Sequence, residues 1–180
     1  MPVGLRQENT SQRSGLRTTP KIGQSHPPPM TQLSEIYNRR ILELAADIAR
    51  AERLADADAS ATAHSKLCGS TVTVDLKLEA GRVAAYGQTV KACLLGQAAA
   101  SVMGRNILGT GGAELREVAN TMRKMLKEGG PPPAGRWADL AVLEPVRDYK
   151  ARHASTLLVF DAVETALAEA EAKSTSVLEA

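Results

Sequence analysis

The sequence predicts an α+β fold, with helices packed on one face of a small antiparallel β-sheet. Two observations lead to this prediction. Residues 71–91 contain two strand-like segments joined by a tight turn, and most of the chain after them shows the apolar spacing of helices. Because the two strands are consecutive, we expect them to pair antiparallel and to leave one apolar face for the helices to cover.

The composition is typical of one soluble globular domain. The chain has 180 residues, of which 43% are hydrophobic and 23% are charged, enough for a core of ordinary size. A net charge of +2 and an aromatic content of 3% argue against a nucleic-acid-binding surface. No apolar run approaches the roughly 18 residues of a membrane-spanning helix, so no membrane partner is expected. Two cysteines predict reduced thiols in a cytoplasmic protein rather than a disulfide framework.

Charge and proline content divide the chain. Residues 1–29 carry a net charge of +3, lack apolar periodicity and end in three consecutive prolines, so we expect a disordered N-terminal extension. The remaining residues carry a net charge of −1. We expect the folded domain at 30–172 and a flexible C-terminal tail at 173–180. Met30 follows the prolines directly and is, beside Met1, a second candidate for the natural start.

The first helix is predicted from about residue 35 to residue 54. Apolar side chains recur there at helical spacing, and the Ser34 hydroxyl can cap the free N–H groups of the first turn. The apolar stripe consists of Ile36, Tyr37, Ile41, Leu44, Ala45, Ile48 and Ala49. Residues 55–64 are small and polar, chiefly Ala, Asp, Ser and Thr, and we interpret them as a loop.

A β-hairpin is predicted next. Residues 71–78 alternate strictly, with Val and Leu on one side and Thr, Asp and Lys on the other, as in a half-buried strand. Residues 79–81 form the turn. The second strand covers 82–91, and its Gly87 is the expected position of a β-bulge.

The rest of the chain is predicted to be helical. The helices cover 94–103, 114–127, 137–143 and 152–172. The Gly-rich segment 109–112 separates the first of these helices from the second, which Gly129 and Gly130 end. Three prolines at 131–133 form a stiff connector, and Pro145 ends the short third helix.

Two cysteines flank the predicted hairpin. Cys68 lies just before its first strand and Cys93 just after its second. Because a hairpin returns the chain to its starting edge, we expect the two thiols at the same end of the sheet. Such a pair can bind a soft metal ion or exchange electrons. The alternative is that each cysteine is a small hydrophobic core residue.

Histidines offer a third ligand for such a site. His153 begins the last helix and could complete a tetrahedral site with the two thiolates, or be an ordinary surface histidine. His64, four residues before Cys68, could also approach a metal but is more typical of a solvated loop. The chain has no phosphate-binding glycine loop, no C-x-x-C and no G-x-S-x-G. We therefore expect no enzyme.

These motifs, in this order, resemble the IscU/NifU N-terminal-type scaffold proteins of iron–sulfur cluster assembly over about residues 35–170. The similar features are a tyrosine in the first helix, Cys68-Gly69-Ser70 before the hairpin, and Cys93 at the start of a small-residue helix. Residues 143–147, Leu-Glu-Pro-Val-Arg, resemble the chaperone-recognition loop of the family. The resemblance implies an IscU/NifU-like fold and a scaffold that holds a transient iron–sulfur cluster, iron or zinc. It also implies a cysteine desulfurase as partner, with a chaperone or acceptor apoprotein, and a homodimer as an option.

Two family site residues are replaced in this chain. The aspartate that follows Cys-Gly in the family is Ser70 here, and the third cysteine, which heads the last helix, is Ser155 if the helix frame is kept. Aligning on the histidine instead puts Ala154 at that position. The resemblance thus implies a cluster site of Cys68, Cys93, Ser70 and Ser155, while the residues themselves offer a mononuclear metal site of Cys68, Cys93 and His153.

Three functions follow from these residues. The first is a scaffold that binds iron, zinc or a transient cluster and accepts sulfur at a thiolate. The second is a diverged scaffold fold without a cluster that acts as a protein-binding module in iron–sulfur biogenesis. The third is a thiol-dependent redox or transferase enzyme, which the lack of an evident acid–base partner disfavours.

Overall fold

The three-dimensional structure is a computed structural model that describes residues 38–178, with side chains as far as residue 175. In chain order the elements are α1 (Arg39–Ala46), β1 (Ala59–His64), β2 (Thr71–Glu79), β3 (Arg82–Lys91), α2 (Leu94–Asn106), α3 (Gly112–Glu128), a 3-10 segment (Gly135–Asp148) and α4 (Lys150–Leu178). The strands form one antiparallel sheet in the order β1-β2-β3. The predicted α+β class is confirmed. The predicted N-terminal extension and Ser34 lie outside the described residues.

The first strand of the sheet was not expected. β1 occupies most of the segment interpreted as a loop, and that interpretation is wrong. Ala59 and Ala61 are buried while Ser60 and Thr62 are exposed, so the strand has the period-two burial of an edge strand. Alanine hides this alternation in the sequence because its side chain is small. α4 packs across β1 and β2 and covers their apolar face.

The hairpin turn forms where the sequence predicts it, but the bulge does not. Ala80 and Gly81 have φ values of 49° and 73°, the positive values that a type I′ hairpin turn requires. The strand register changes between Lys77 and Leu78, which leaves Ala84 as the extra residue. Gly87 is in regular register, and a Cβ built on it would lie 2.3 Å from the Glu52 carbonyl oxygen. Gly87 therefore permits a close backbone contact and is not a bulge.

That contact comes from a segment predicted to be helical. α1 begins at the Asn38 cap, whose Oδ1 accepts the Ile41 N–H at 3.0 Å, and ends at Ala46. The prediction of helix through residue 54 is wrong. The chain instead turns across β3, where the Arg50 carbonyl accepts the Gln88 backbone N–H at 3.0 Å. The Gln88 side chain donates to the Ala49 carbonyl at 2.7 Å, so buried polar groups replace helical hydrogen bonds.

Asp75 is the buried carboxylate of this interface. It lies on the polar side of β2, is fully buried and accepts hydrogen bonds from the Arg53 guanidinium, the Leu54 N–H and the Ser60 hydroxyl. Burial opposes ionisation of Asp75, but these donors outweigh it and hold its pKa below the ordinary value. The polar face of the sheet is thus covered here by an irregular segment, while the helices cover the other face.

The later helices form where the sequence predicts them, but several of their ends differ from the predicted bounds. α3 ends at Glu128, and Gly129 caps it as predicted, in the left-handed conformation with φ 69°. Pro145 does not end the short helix but lies inside the 3-10 segment, which continues to Asp148. α4 continues beyond the predicted end at Ala172 to Leu178, so 173–178, predicted to be a tail, is helical. Among the described residues, no helix is long and apolar enough to cross a membrane.

Candidate functional site

The two cysteines lie beyond the same edge of the sheet. β1 ends at His64 and β2 begins at Thr71, which pairs on its other side with Lys91 at the end of β3. Cys68 is exposed on the short loop that joins β1 and β2, and Cys93, partly buried, is the N-cap residue of α2. The two positions therefore adjoin one end of the sheet, as predicted from the hairpin.

The loop that carries Cys68 is tightly folded. The Ser65 N–H donates to the Ser70 carbonyl, and the Gly69 N–H donates to the Ser65 carbonyl, both at 2.9 Å. Gly69 has a φ of 67°, a left-handed conformation that glycine adopts without strain. This turn directs the buried hydroxyls of Ser65 and Ser70 towards the Cys68 thiol.

Buried serine hydroxyls surround the two sulfur atoms. Cys68 Sγ lies 3.0 Å from Ser70 Oγ and 3.3 Å from Ser65 Oγ. Cys93 Sγ donates to Ser155 Oγ at 3.4 Å, and Ser155 is fully buried. The structure thus pairs Cys68 with Ser70 and Cys93 with Ser155, and these are the four residues of the predicted cluster site.

These hydroxyls change the acidity of Cys68. Hydrogen bonds from Ser65 and then Ser70 stabilise the thiolate and lower the pKa of Cys68 from 9.0 to about 7. Ser155 contributes in the same direction, and partial burial opposes it weakly. Cys68 is therefore an exposed thiol that is substantially ionised near neutral pH, the form that binds metals and attacks sulfur.

A close contact between helices places Cys93. A Cβ built on Gly96 would lie 2.7 Å from the Ser155 carbonyl oxygen and 2.8 Å from the Ala92 Cβ. Because glycine has no Cβ, the first turn of α2 can lie directly against the first turns of α4. This contact brings Cys93 to Ser155.

His153, the predicted third ligand, hydrogen-bonds to backbone carbonyl groups. His153 is buried, and its Nε2 lies 3.1 Å from the Val146 carbonyl and 3.0 Å from the Arg147 carbonyl. Because both partners are acceptors, Nε2 is the donor, and Nδ1 is the nitrogen left for a metal ion. His64 is exposed at the end of β1, not in a loop. Within 38–178, no group of three or more His, Cys, Asp or Glu residues could hold a metal ion.

Ser65 is a site residue that was not predicted from the sequence. This hydroxyl has the largest effect on the pKa of Cys68, yet serine carries no charge and signals no chemistry by itself. The spacing of serines three residues before and two after Cys68, with a glycine between, is the signal that could have indicated it, since such a loop can turn back on the thiol.

The rim of the site is apolar. Leu67 is 77% exposed and precedes Cys68, while Leu94 is 36% exposed and follows Cys93. Of the three large hydrophobic side chains exposed in the described part of the chain, two therefore adjoin the thiols. The segment 143–147, in contrast, buries its Leu143 and Val146 side chains completely within the 3-10 segment.

Comparison with solved structures places this arrangement among known proteins. The chain is 56% identical to a nitrogen-fixing NifU-like protein (N-terminal) from Brucella abortus, with a TM-score of 0.77 over 79% of this chain and 99% of that one. A protein from Fervidobacterium islandicum, assigned as an iron–sulfur cluster assembly scaffold for the SUF system, is 20% identical, with a TM-score of 0.68 over 74% of this chain and 98% of that one. The second likeness concerns the fold alone. No protein-family model and no curated protein matches the chain.

Proposed function

Since the chain belongs to the IscU/NifU N-terminal-type family of iron–sulfur cluster assembly scaffolds, we propose that it binds iron or a transient iron–sulfur cluster as cargo through Cys68 and Cys93. The observation that carries this proposal is the position of Cys68 and Cys93 at the same end of the sheet. Thiolates are the ligands that iron–sulfur clusters prefer, and an exposed Cys68 leaves the cargo accessible to a recipient protein.

The ligand set explains why binding would be transient. One chain contributes two thiolates, whereas a cluster is commonly held by four ligands. The neutral hydroxyls of Ser70 and Ser155 are weaker ligands than the aspartate and cysteine that the family has there. The missing positions are left to a second copy of the chain, a partner protein or solvent. A single zinc or iron ion would have Cys68, Cys93 and His153, through Nδ1, as ligands, and these three residues would have to move together, because they form no metal-binding group in the described part of the chain.

The proposed function requires a sulfur donor, a recipient protein and a reducing compartment. Sulfur would come from a cysteine desulfurase as a persulfide and be accepted by the Cys68 thiolate. The apolar rim of Leu67 and Leu94 supports docking of such a partner or of an acceptor apoprotein. A chaperone that binds segment 143–147 would first have to expose its buried side chains. A reducing cytoplasm would keep both thiols free.

Anaerobic reconstitution tests the scaffold proposal. Purified protein is mixed with ferrous iron and sulfide, and cluster formation is followed by visible absorption. We expect the wild type to form a short-lived cluster, and Cys68→Ser and Cys93→Ser to form none. A Ser174→Ala variant, changed on α4 far along the chain from both cysteines, is the matched control. Cysteine variants that assemble the same cluster as the wild type would exclude these thiols as ligands.

Restoring the family ligands tests the alignment. The double variant Ser70→Asp, Ser155→Cys adds a carboxylate and a third thiolate, so we expect a longer cluster lifetime in the same assay. An unchanged lifetime would mean that Ser155 does not occupy the family's cysteine position.

One observation favours the second candidate, a protein-binding module without a cluster. The described part of the chain has no three-residue metal site. Zinc titration separates the two functions. We expect zinc affinity to fall in Cys68→Ser and in His153→Ala, and to fall at acid pH because protons compete for the ligands. A Cys68→Ser variant that binds zinc as tightly as the wild type would favour the module.

A further inference from the structure

We propose that Cys68 and Cys93 form a dithiol pair that releases sulfide from a persulfide on Cys68, with Cys93 as the resolving thiol. This inference rests on the proposed role in cluster assembly and adds a reaction to it. A scaffold that receives sulfur as a persulfide must convert sulfane sulfur into sulfide before a cluster can form. The pair supplies the two electrons for that conversion.

The placement of the two sulfurs supports the reaction. Cys68 lies on the loop between β1 and β2, and Cys93 is the N-cap residue of α2, so both adjoin the same end of the sheet. Cys93 Sγ donates to Ser155 Oγ at 3.4 Å, and Ser155 also contributes to the lowered pKa of Cys68. The second thiol therefore lies on the same side of the molecule as the first, and a reaction between them is intramolecular.

The two thiols differ in access, which assigns their roles. Cys68 is exposed on its loop and meets a sulfur donor first, whereas Cys93 is partly buried at the start of α2. The chain has two cysteines. A persulfide on Cys68 therefore has one thiol of its own chain to react with, and that thiol is Cys93.

In the first turnover the two thiols supply all the electrons, so the reaction needs no other reductant. The Cys93 sulfur attacks the inner sulfur of the Cys68 persulfide, the bond to the outer sulfur breaks, and a Cys68–Cys93 disulfide forms. The outer sulfur leaves as hydrosulfide, a good leaving group because of its low pKa, and takes up the proton lost by Cys93. The sulfane sulfur is reduced by two electrons and the two cysteine sulfurs are together oxidised by two. An external dithiol regenerates the pair.

A single-turnover experiment tests the pair. Reduced, metal-free protein is loaded with inorganic polysulfide and desalted anaerobically, and the sulfide it releases is measured with time. Mass spectrometry then counts free thiols and locates any disulfide. We expect about one sulfide and one internal disulfide per wild-type chain, and release at least about tenfold slower from Cys93→Ser, because the intramolecular attack is lost. Circular dichroism checks that this variant, isosteric apart from sulfur, keeps its fold.

Several outcomes would overturn the inference. These are equal release by the wild type and Cys93→Ser, a disulfide between two chains, sulfur that moves to Cys93 without release, and a Cys68 that takes up no sulfane sulfur. The scaffold proposal is tested separately, since reconstitution with free sulfide needs neither persulfide nor disulfide. A protein that assembles a cluster but retains its persulfide would refute the dithiol reaction alone. Sulfide release without cluster assembly would refute the scaffold alone.

Discussion

Neutral hydroxyl groups surround the candidate thiol site. Ser65, Ser70 and Ser155 are all buried and all hydrogen-bonded to a sulfur. A hydroxyl can donate to a thiolate and accept from a thiol, so the same residues serve both protonation states. They stabilise a thiolate without adding charge of their own, which leaves the negative charge of the site on sulfur.

The acidity of Cys68 gives a pH-dependent reactivity. In a Cys93→Ser background, where one thiol remains, we expect alkylation by iodoacetamide to be slow in acid and to rise through a midpoint at about pH 7. The sign follows from the lowered pKa, since the thiolate reacts and the thiol does not. Ser65→Ala should move the midpoint towards 9.0, and Ser174→Ala should leave it unchanged. A midpoint near 9 in the parent variant would contradict the role of the hydroxyls.

Asp75 is the residue whose loss we expect to cost most stability outside the apolar core. Asp75→Asn removes the charge that Arg53, Leu54 and Ser60 bind and should lower the free energy of unfolding at pH 7 by about 1–3 kcal/mol. Asp56→Asn, which breaks an ion pair of the exposed Asp56 with Lys77, is the control and should change little. Urea denaturation measures both.

The same residue predicts the direction of the pH dependence. The pKa of Asp75 is lowered in the folded state, so its ionised form stabilises the fold above the ordinary carboxyl pKa of about 4. This contribution is lost as the pH falls through the lowered pKa. The difference between the wild type and Asp75→Asn should therefore shrink in acid. A difference that grew in acid would contradict the assignment.

At the scale of elements, the segment between α1 and β1 organises one face of the sheet. Its backbone contacts Gly87 on β3 and the end of α2, where a Cβ on Gly104 would lie 2.5 Å from the Ala49 carbonyl oxygen. The Ser101 hydroxyl donates to the Asp47 carbonyl at 2.7 Å. Glycines on β3 and α2 thus allow the backbone of this segment to approach closely, and polar side chains hydrogen-bond to it there.

Gly87→Ala tests this contact. A Cβ at this position would overlap the Glu52 carbonyl, so we expect a loss of about 1–3 kcal/mol in unfolding free energy from the forced backbone shift. The matched control is Gly111→Ala, where the nearest atom to a new Cβ is the Gly81 carbonyl oxygen at 3.9 Å. Equal stability of the two variants, measured by urea denaturation, would show that the segment can move aside at little cost.

Sequence patterns predicted the elements that have strong periodicity or a special turn. The hairpin, its turn at Ala80-Gly81 and the end of α3 at Gly129 are confirmed. The end of α1 was mispredicted because the helical spacing of apolar residues continues past Ala46, although tertiary contacts end the helix there. The strand β1 was mispredicted because its alternating alanines have a low β propensity, and its pairing with β2 depends on tertiary contacts. The position of both cysteines at one end of the sheet was predictable from the hairpin. The serine contacts were not, because they depend on a loop conformation that the spacing of residues in the sequence does not specify.

Within residues 38–178, one apolar core joins the sheet to α1, α2, α3 and α4. The core includes Ile41 of α1, Val74 of β2, Met122 of α3 and Phe160 of α4, each buried. α3 is held to α4 at the surface as well, where Arg123 pairs with Asp161 at 2.7 Å and with Glu164. The thiol site lies at one end of this unit, so stability and the proposed cargo binding depend largely on different residues.

The extent of the folding unit can be tested by truncation. Deletion of residues 1–29, which composition predicts to be disordered, should leave the melting temperature within about 2 °C of the full chain. Deletion of residues 1–46 also removes α1 and the buried side chains of Ile41 and Leu44 and should lower it markedly. Calorimetry compares the three proteins. A large drop in the first truncation would extend the folded unit towards the N-terminus.

The contact at Gly96 has a consequence for how cargo preference can vary. Backbone atoms determine the spacing between α2 and α4 at this contact, so the spacing does not depend on which donor atoms the site carries. Oxygen can replace sulfur at position 155, or carboxylate can replace hydroxyl at position 70, while the distance between the helices stays the same. If the proposed cargo binding holds, single substitutions at these two positions would change the preference between hard and soft metal ions at constant helix spacing, whereas any side chain at position 96 would change the spacing itself.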